Sequence, residues 1–290
     1  MAVEERDPHT GYMTTGHEWN GIKELNTPVP RPVYFFLIVT AAFAVVYWLL
    51  MPAWPLGVTY TKGLLGIDQR QSVAEALEEA AAQRAAWTQR IETADFAEIQ
   101  ADPQLMTIVR QTGRTLFGDN CSVCHGAHAT GGPGFPNLTS GSWLWGGEPE
   151  AIAETLRVGI NATHPDTRTG QMLAFGKDGI LPRADVEKVV TYVQSLSDPS
   201  IGATPEQLDA GREVFLANCA TCHGEEGKGM TDTGAPNLTD RFWIYGGDRQ
   251  SIFTTVYGGR QGHMPSWEGR LSPLDRKILA LYVLDLGKPE

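Results

Sequence analysis

This chain of 290 residues predicts a mainly α fold, in which one N-terminal transmembrane helix and a helical linker precede two small tandem domains. Three observations carry that expectation. Residues 33–54 read VYFFLIVTAAFAVVYWLLMPAW, an uncharged run long enough to cross a bilayer as one helix. A stretch rich in Ala, Glu and Gln follows, from about Ser72 to Ile99. Beyond it the sequence repeats itself with a period near 100 residues, and both copies carry apolar stripes at helical spacing.

The segment before the span, residues 1–32, is polar and includes Glu4, Glu5 and Asp7, so a cleaved leader fits poorly and the span is expected to stay in place. Tyr34, Tyr47, Trp48 and Trp54 stand toward the ends of the run, where aromatic side chains favour the membrane interface. Arg6, Lys23 and Arg31 precede the span and Lys62 and Arg70 follow it, a bias that weakly favours a cytoplasmic N-terminus. Residues 55–104 are expected as a helical linker in which Val73, Leu77, Ala80, Trp87 and Ile91 keep roughly heptad spacing, interrupted by Arg84. A solvated spacer and a helix lying along a partner subunit both satisfy that stripe.

The two domains are expected at residues 105–198 and 199–290. Gly113, Phe117 and Asn120 match Gly211, Phe215 and Asn218, Pro136-Asn137-Leu138-Thr139 matches Pro236-Asn237-Leu238-Thr239, and Ile152, Thr155 and Gly159 match Ile252, Thr255 and Gly259. In the second copy Thr204 caps a helix that runs into Cys219, with Pro205 in its first turn and Gln207 closing a capping box. Asp248 caps a middle helix ending near Gly258, and Ser272-Pro273 opens a last one carrying Ile278, Leu279, Tyr282, Val283 and Leu286. Val186, Val189, Val190, Tyr192, Val193 and Leu196 form the corresponding stripe of the first copy.

Each copy holds a Cys-x-x-Cys-His motif: Cys121-Ser122-Val123-Cys124-His125 and Cys219-Ala220-Thr221-Cys222-His223. The spacing is that of covalent haem c attachment, because two thiols meet the vinyl groups of one porphyrin while the next imidazole reaches its iron. The two motifs use all four cysteines, which leaves none for a disulfide or a zinc ribbon. Each repeat therefore reads as a cytochrome c-type domain, with the flat apolar macrocycle completing a core too small to stand alone.

His125 and His223 supply one axial ligand each. The opposite face decides the chemistry, since a Met there closes the iron to small molecules and raises its potential. In the second copy Met264, in Gly262-His263-Met264-Pro265, is the candidate, because Met230 lies only seven residues beyond His223. In the first copy an ungapped alignment puts His164 opposite Met264, whereas eight extra residues put Met172 there and match Phe175 with Trp267. Met172 is the expected ligand and His164 the alternative; His128 and His263 are expected at the surface or at a haem edge. Two closed irons point to electron transfer rather than to a haem enzyme or gas sensor.

The formal net charge of −11 falls mostly on the part before the repeats: −6 for residues 1–104, −2 for 105–198 and −3 for 199–290. Mild acidity suits a basic soluble donor and argues against nucleic acid. The run Thr14-Thr15-Gly16-His17-Glu18-Trp19-Asn20-Gly21-Ile22-Lys23-Glu24-Leu25-Asn26-Thr27-Pro28-Val29-Pro30-Arg31 is more specific than a membrane anchor requires. With one span and two haem c motifs behind it, the chain resembles the di-haem subunit III (CcoP or FixP type) of cbb3-type cytochrome c oxidases. The resemblance implies two covalent haem c groups on Cys121, Cys124, Cys219 and Cys222, with His125, Met172, His223 and Met264 on the irons. It also implies a subunit without bond chemistry of its own, in the bacterial inner membrane with periplasmic haem domains. Electrons from a c-type cytochrome donor would pass toward a mono-haem cytochrome subunit and a catalytic haem-copper subunit. A free membrane-anchored di-haem shuttle and the cytochrome subunit of a periplasmic dehydrogenase are the rival readings.

Overall fold

The computed structural model describes residues 5–287; Glu4 and the outermost ends of the first and last expected segments lie outside the described residues. The chain divides after Gln83 into two compact units. In the first, β1 (Thr14–Trp19) and β2 (Ile22–Leu25) pair antiparallel, with Trp19 opposite Ile22 and Glu18 opposite Lys23. Asn20-Gly21 turns the hairpin with φ of 50° and 86°, a two-residue geometry that glycine and asparagine favour. This hairpin was not expected, although an Asn-Gly pair is its usual sequence signal. It forms much of the specific N-terminal run, so that run is a folded element ahead of the span.

Helix α1 (Arg31–Leu50) spans 20 residues, about 30 Å at 1.5 Å per residue, and none of its side chains is buried within the chain. It starts with Pro32 in its first turn and is four residues shorter at its C-terminus than the uncharged run that ends at Trp54. Pro52 accounts for the early end. The residue before a proline is pushed out of the helical region, and Met51 is extended at φ −109°, ψ 158°. The chain then folds back on the helix end, with Leu64 and Leu65 donating their N–H groups to the carbonyls of Leu49 and Leu50.

Helix α2 (Gln69–Thr93) carries the linker stripe, and its N-terminal apolar side chains Val73 and Leu77 are exposed. The expected helix to Ile99 breaks at Asp95, which caps a separate α3 (Phe96–Ala101) through a capping box with Glu98. Ile91 and Ile99 are both fully buried, in a cluster with Leu105, Met106 and Val109 and with Ile278 and Leu281 from the far end of the chain. The last part of the expected linker is thus core of the second unit.

The second unit continues with α4 (Pro103–Asn120), α5 (Ser122–His125), α6 (Pro149–Val158), α7 (Arg183–Ser197), α8 (Pro205–Asn218), α9 (Ala220–His223), α10 (Arg249–Gly258) and α11 (Pro273–Leu286). Thr204, Asp248 and Ser272 cap α8, α10 and α11 as their sequence predicts. The expected domain boundary at residue 198 follows the repeat but not the packing. Helix α7, from the first copy, packs on α8 and α10 of the second, and α11 packs back on α4 and α6 of the first. The two copies have exchanged their C-terminal halves. Only residues 198–204 join α7 to α8, so these neighbours close as an antiparallel pair at small entropic cost.

Equivalent glycines allow both helix crossings. A Cβ on Gly113 would lie 2.5 Å from the Tyr282 Cβ, and one on Gly211 would lie 2.4 Å from the Lys188 carbonyl oxygen and 2.6 Å from the Tyr192 Cβ. Because a backbone oxygen cannot swing away, Gly211→Ala is expected to destabilise the protein by about 1–3 kcal/mol. Gly118→Ala, which meets open space in the same kind of helix, should be neutral or slightly stabilising. Thermal denaturation of the two variants side by side checks the pair.

Candidate haem sites

Each Cys-x-x-Cys-His motif forms a single helical turn, α5 or α9, that begins where the preceding long helix ends. The turn puts the histidine one residue past the second cysteine on a fixed backbone, with the amide N–H of His125 bonded to the Cys121 carbonyl at 3.0 Å and that of His223 to the Cys219 carbonyl at 3.0 Å. The imidazoles are oriented by the proline loops. His125 Nδ1 donates to the Pro136 carbonyl at 3.3 Å and His223 Nδ1 to the Pro236 carbonyl at 3.1 Å. A carbonyl can only accept, so each Nδ1 carries the proton and each Nε2 keeps its lone pair for a metal. Burial lowers both imidazole pKa values, which preserves the neutral ligand form.

Cys121 and Cys219 lie at the inner edges of these sites, where burial pushes their thiols up to about 11. Cys124 and Cys222 are exposed. Val123, between the first pair, is almost fully exposed, so one edge of that site faces solvent. The proline loops of both copies, together with Trp143 and Trp243, line a shared cavity of about 470 Å³. Haem c fits this donor set: paired thiols, a tautomer-fixed imidazole and apolar walls in each copy. An orphaned buried donor supports the fit. Arg168 Nε has no hydrogen-bond partner, although its Nη2 reaches the Ala151 carbonyl at 3.2 Å and its guanidinium lies 5.3 Å from the Trp145 ring centre. An anionic propionate is the kind of group such a donor lacks.

The methionines stand across the exchange. Met264 packs in the cluster of Phe117, Ile152, Leu156 and Cys121, which belongs to the first motif. Met172 packs in the cluster of Phe215, Ile252, Val256 and Cys219, which belongs to the second. Reciprocal backbone pairs fix both. Met264 and Ile160 exchange N–H···O bonds of 2.9 and 2.8 Å, and Met172 and Arg260 exchange bonds of 2.8 and 3.0 Å. One turn on, Trp267 donates to the Leu156 carbonyl at 2.9 Å and Phe175 to the Val256 carbonyl at 3.1 Å. The expectation sets each methionine beside the motif of its own copy; the structure packs each methionine loop against the other copy, because the loop follows its exchanged helix. Gly159 and Gly259, with φ of 71° and 70°, make the approach possible, since a Cβ on either would lie 2.5 or 2.6 Å from the opposing methionine carbonyl.

His164 is engaged elsewhere. Its Nε2 lies 2.8 Å from Glu268 Oε2, and its Nδ1 accepts the Asp166 N–H at 3.0 Å, so neither ring nitrogen is left for an iron. His128 and His263 are exposed, and Met230 lies at the surface, paired through its backbone with Ala235. The network around His164 escaped the sequence reading because its members are scattered. Arg157 joins Glu154, Asp166 and Glu268 at 2.8, 3.1 and 3.3 Å. Hydrogen bonds from Arg157 hold the Glu154 carboxyl below its ordinary value of 4.5, and those from His164 and then Arg157 do the same for Glu268. A depressed folded-state pKa contributes stability above the unfolded value and loses it as pH falls through the folded one. The stability difference between the wild type and Glu268→Gln is therefore expected to shrink as pH drops below about 4, as read from denaturation midpoints across pH.

Comparison with known proteins agrees along the chain. Residues 11–58 match the N-terminal domain of cytochrome oxidase-cbb3, FixP; residues 111–197 match cytochrome c; and residues 206–283 match cytochrome C oxidase, cbb3-type, subunit III. Among curated relatives, the cbb3-type cytochrome c oxidase subunit FixP of a Bradyrhizobium species is 47% identical over 285 residues, covering 98% of this chain and 97% of that one. The CcoP subunit of Azospirillum brasilense is 40% identical over 294 residues, covering 99% of each chain. That of Cereibacter sphaeroides is 42% identical over 279 residues, covering 96% of this chain and 95% of the relative. With two cytochrome c domains that bind covalent haem c behind an N-terminal apolar helix, the chain belongs to the FixP/CcoP family of electron-transfer subunits of cbb3-type cytochrome c oxidases.

Proposed function

We propose that this subunit takes electrons from a c-type cytochrome and relays them through its second unit toward a mono-haem cytochrome subunit and the catalytic haem-copper subunit, with no bond chemistry of its own. The haems supply reversible one-electron chemistry when bound. The chain supplies attachment, closure and proximity. Cys121, Cys124 and His125 hold one group with Met264 as the sixth ligand, and Cys219, Cys222 and His223 hold the other with Met172. The observation that carries this reading is the reciprocal pairing of the two methionine loops, which packs Met264 in the cluster that holds Cys121 and Met172 in the cluster that holds Cys219. A Met-capped iron has no free position for substrate or gas, which favours transfer over catalysis or sensing.

Sharing one cavity between both proline loops brings the two sites together, as transfer from one to the other requires. The N-terminus would lie in the cytoplasm and the second unit in the periplasm, because covalent haem attachment takes place outside the bacterial cytoplasm. The hairpin and α1 would contact the catalytic subunit. Two measurements test the proposal. Extraction in mild detergent should bring this chain down with a copper-containing oxidase; isolation alone, with no copper protein, rejects the relay role in favour of the free shuttle. Reduced full-length protein should bind carbon monoxide poorly at both haems, and ready binding at either one rejects closure there.

A further inference from the structure

The two methionine loops are related by the repeat, yet they are held by different chemistry. On the Met264 side, Arg157 at the end of α6 binds Glu268, four residues past the methionine, while also holding Glu154 and Asp166. The Ser266 hydroxyl donates to the Arg157 carbonyl at 2.6 Å, and His164 adds its contact to Glu268. On the Met172 side the position equivalent to Arg157 is Tyr257. Its carbonyl accepts from Gly176 and Lys177 at 3.2 and 2.9 Å, and its ring stacks on Phe253 with centroids 5.6 Å apart, packed so closely that a Cβ on Gly176 would lie 2.0 Å from it. Among the described residues no ion pair reaches the Met172 loop.

We propose that Arg157 is a positioning residue for Met264: a charged clamp from the first copy holds the ligand loop of the second, so one iron–methionine bond depends on ion pairing and the other does not. This rests on the reading of Met264 as an iron ligand. Arg157 spreads its guanidinium over three carboxylates on two loops and α6, a planar fork that a lysine cannot reproduce. Ion pairs at this depth are weakened by salt, whereas aromatic stacking is not. Loosening the loop raises the fraction of time the thioether is off the iron, and an added ligand can then take its place.

The test uses full-length, haem-loaded protein in detergent, with imidazole as the competing ligand and the iron–methionine absorption as the readout. In a Met172→Ala background the remaining absorption comes from Met264. There Arg157→Ala should speed imidazole displacement about tenfold, Glu268→Gln less, and Arg157→Lys should recover part of the loss. High salt should move the Arg157 protein toward the Arg157→Ala rate. In a Met264→Ala background neither Arg157→Ala nor salt should alter the rate. Equal acceleration in both backgrounds, or none in the first while its absorption is present, overturns the clamp and leaves the ligand assignment standing. Absence of iron–methionine absorption in the Met172→Ala background overturns both.

Discussion

Combining His125→Gly with Met264→Ala in one chain is expected to leave about as much iron–methionine absorption as His125→Gly alone, whereas combining His125→Gly with Met172→Ala should abolish it. In the proposed crossed coordination His125 and Met264 are partners on one iron. Removing both therefore damages one site and leaves His223 with Met172 intact, supported by the mutual hydrogen bonds of Met172 and Arg260 at 2.8 and 3.0 Å. The second combination takes one ligand from each iron. Ligation within each repeat predicts the reverse, with the first combination losing everything, so the two double variants decide the question by a full loss rather than a shift. Magnetic circular dichroism of the oxidised protein reads the signal for both.

A chain ending after Ser200 is expected to fail to hold the first haem domain together, although it retains every residue of the first repeat. It lacks α11, whose Ile278, Leu279, Leu281 and Val283 are buried at 0 to 5% exposure against α3, α4 and α6. At about 1.5–3 kcal/mol for each of these side chains the loss is about 6–12 kcal/mol, comparable with the whole stability of a small domain. It also loses Met264. A chain of residues 84–290 keeps both halves of the exchange and should fold with two haems. Haem content and thermal denaturation of the two products check the contrast; a stable, Met-ligated single-haem product from the shorter chain would refute the exchange.

Much of the fold was legible because it is local. The caps at Thr204, Asp248 and Ser272 act within one turn of their helices, and the span is set by an unbroken apolar run. The N-terminal hairpin went unread despite Asn20-Gly21, because its strands carry charged and polar residues on both sides of the turn instead of a clean apolar alternation. The early end of α1 was legible in principle, from Pro52, but the uncharged composition continues past it to Trp54. The clamp left no pattern at all, since Arg157, His164 and Glu268 are spread over 112 positions.

By itself the sequence determined that the protein carries two haem c sites on helical repeats behind a membrane anchor, because thiol spacing, the adjoining imidazole and an apolar run are properties of short contiguous segments. Which copy each methionine loop packs against was decided only in three dimensions. Gly113 and Phe117 accept an aromatic helix as readily as Gly211 and Phe215 do, and Tyr192 and Tyr282 offer the same face to either, so the apolar pattern is satisfied by both pairings. The short connection from α7 to α8 breaks that degeneracy: it makes these two helices neighbours, leaves α11 to cover α4, and carries each methionine loop across to the other copy.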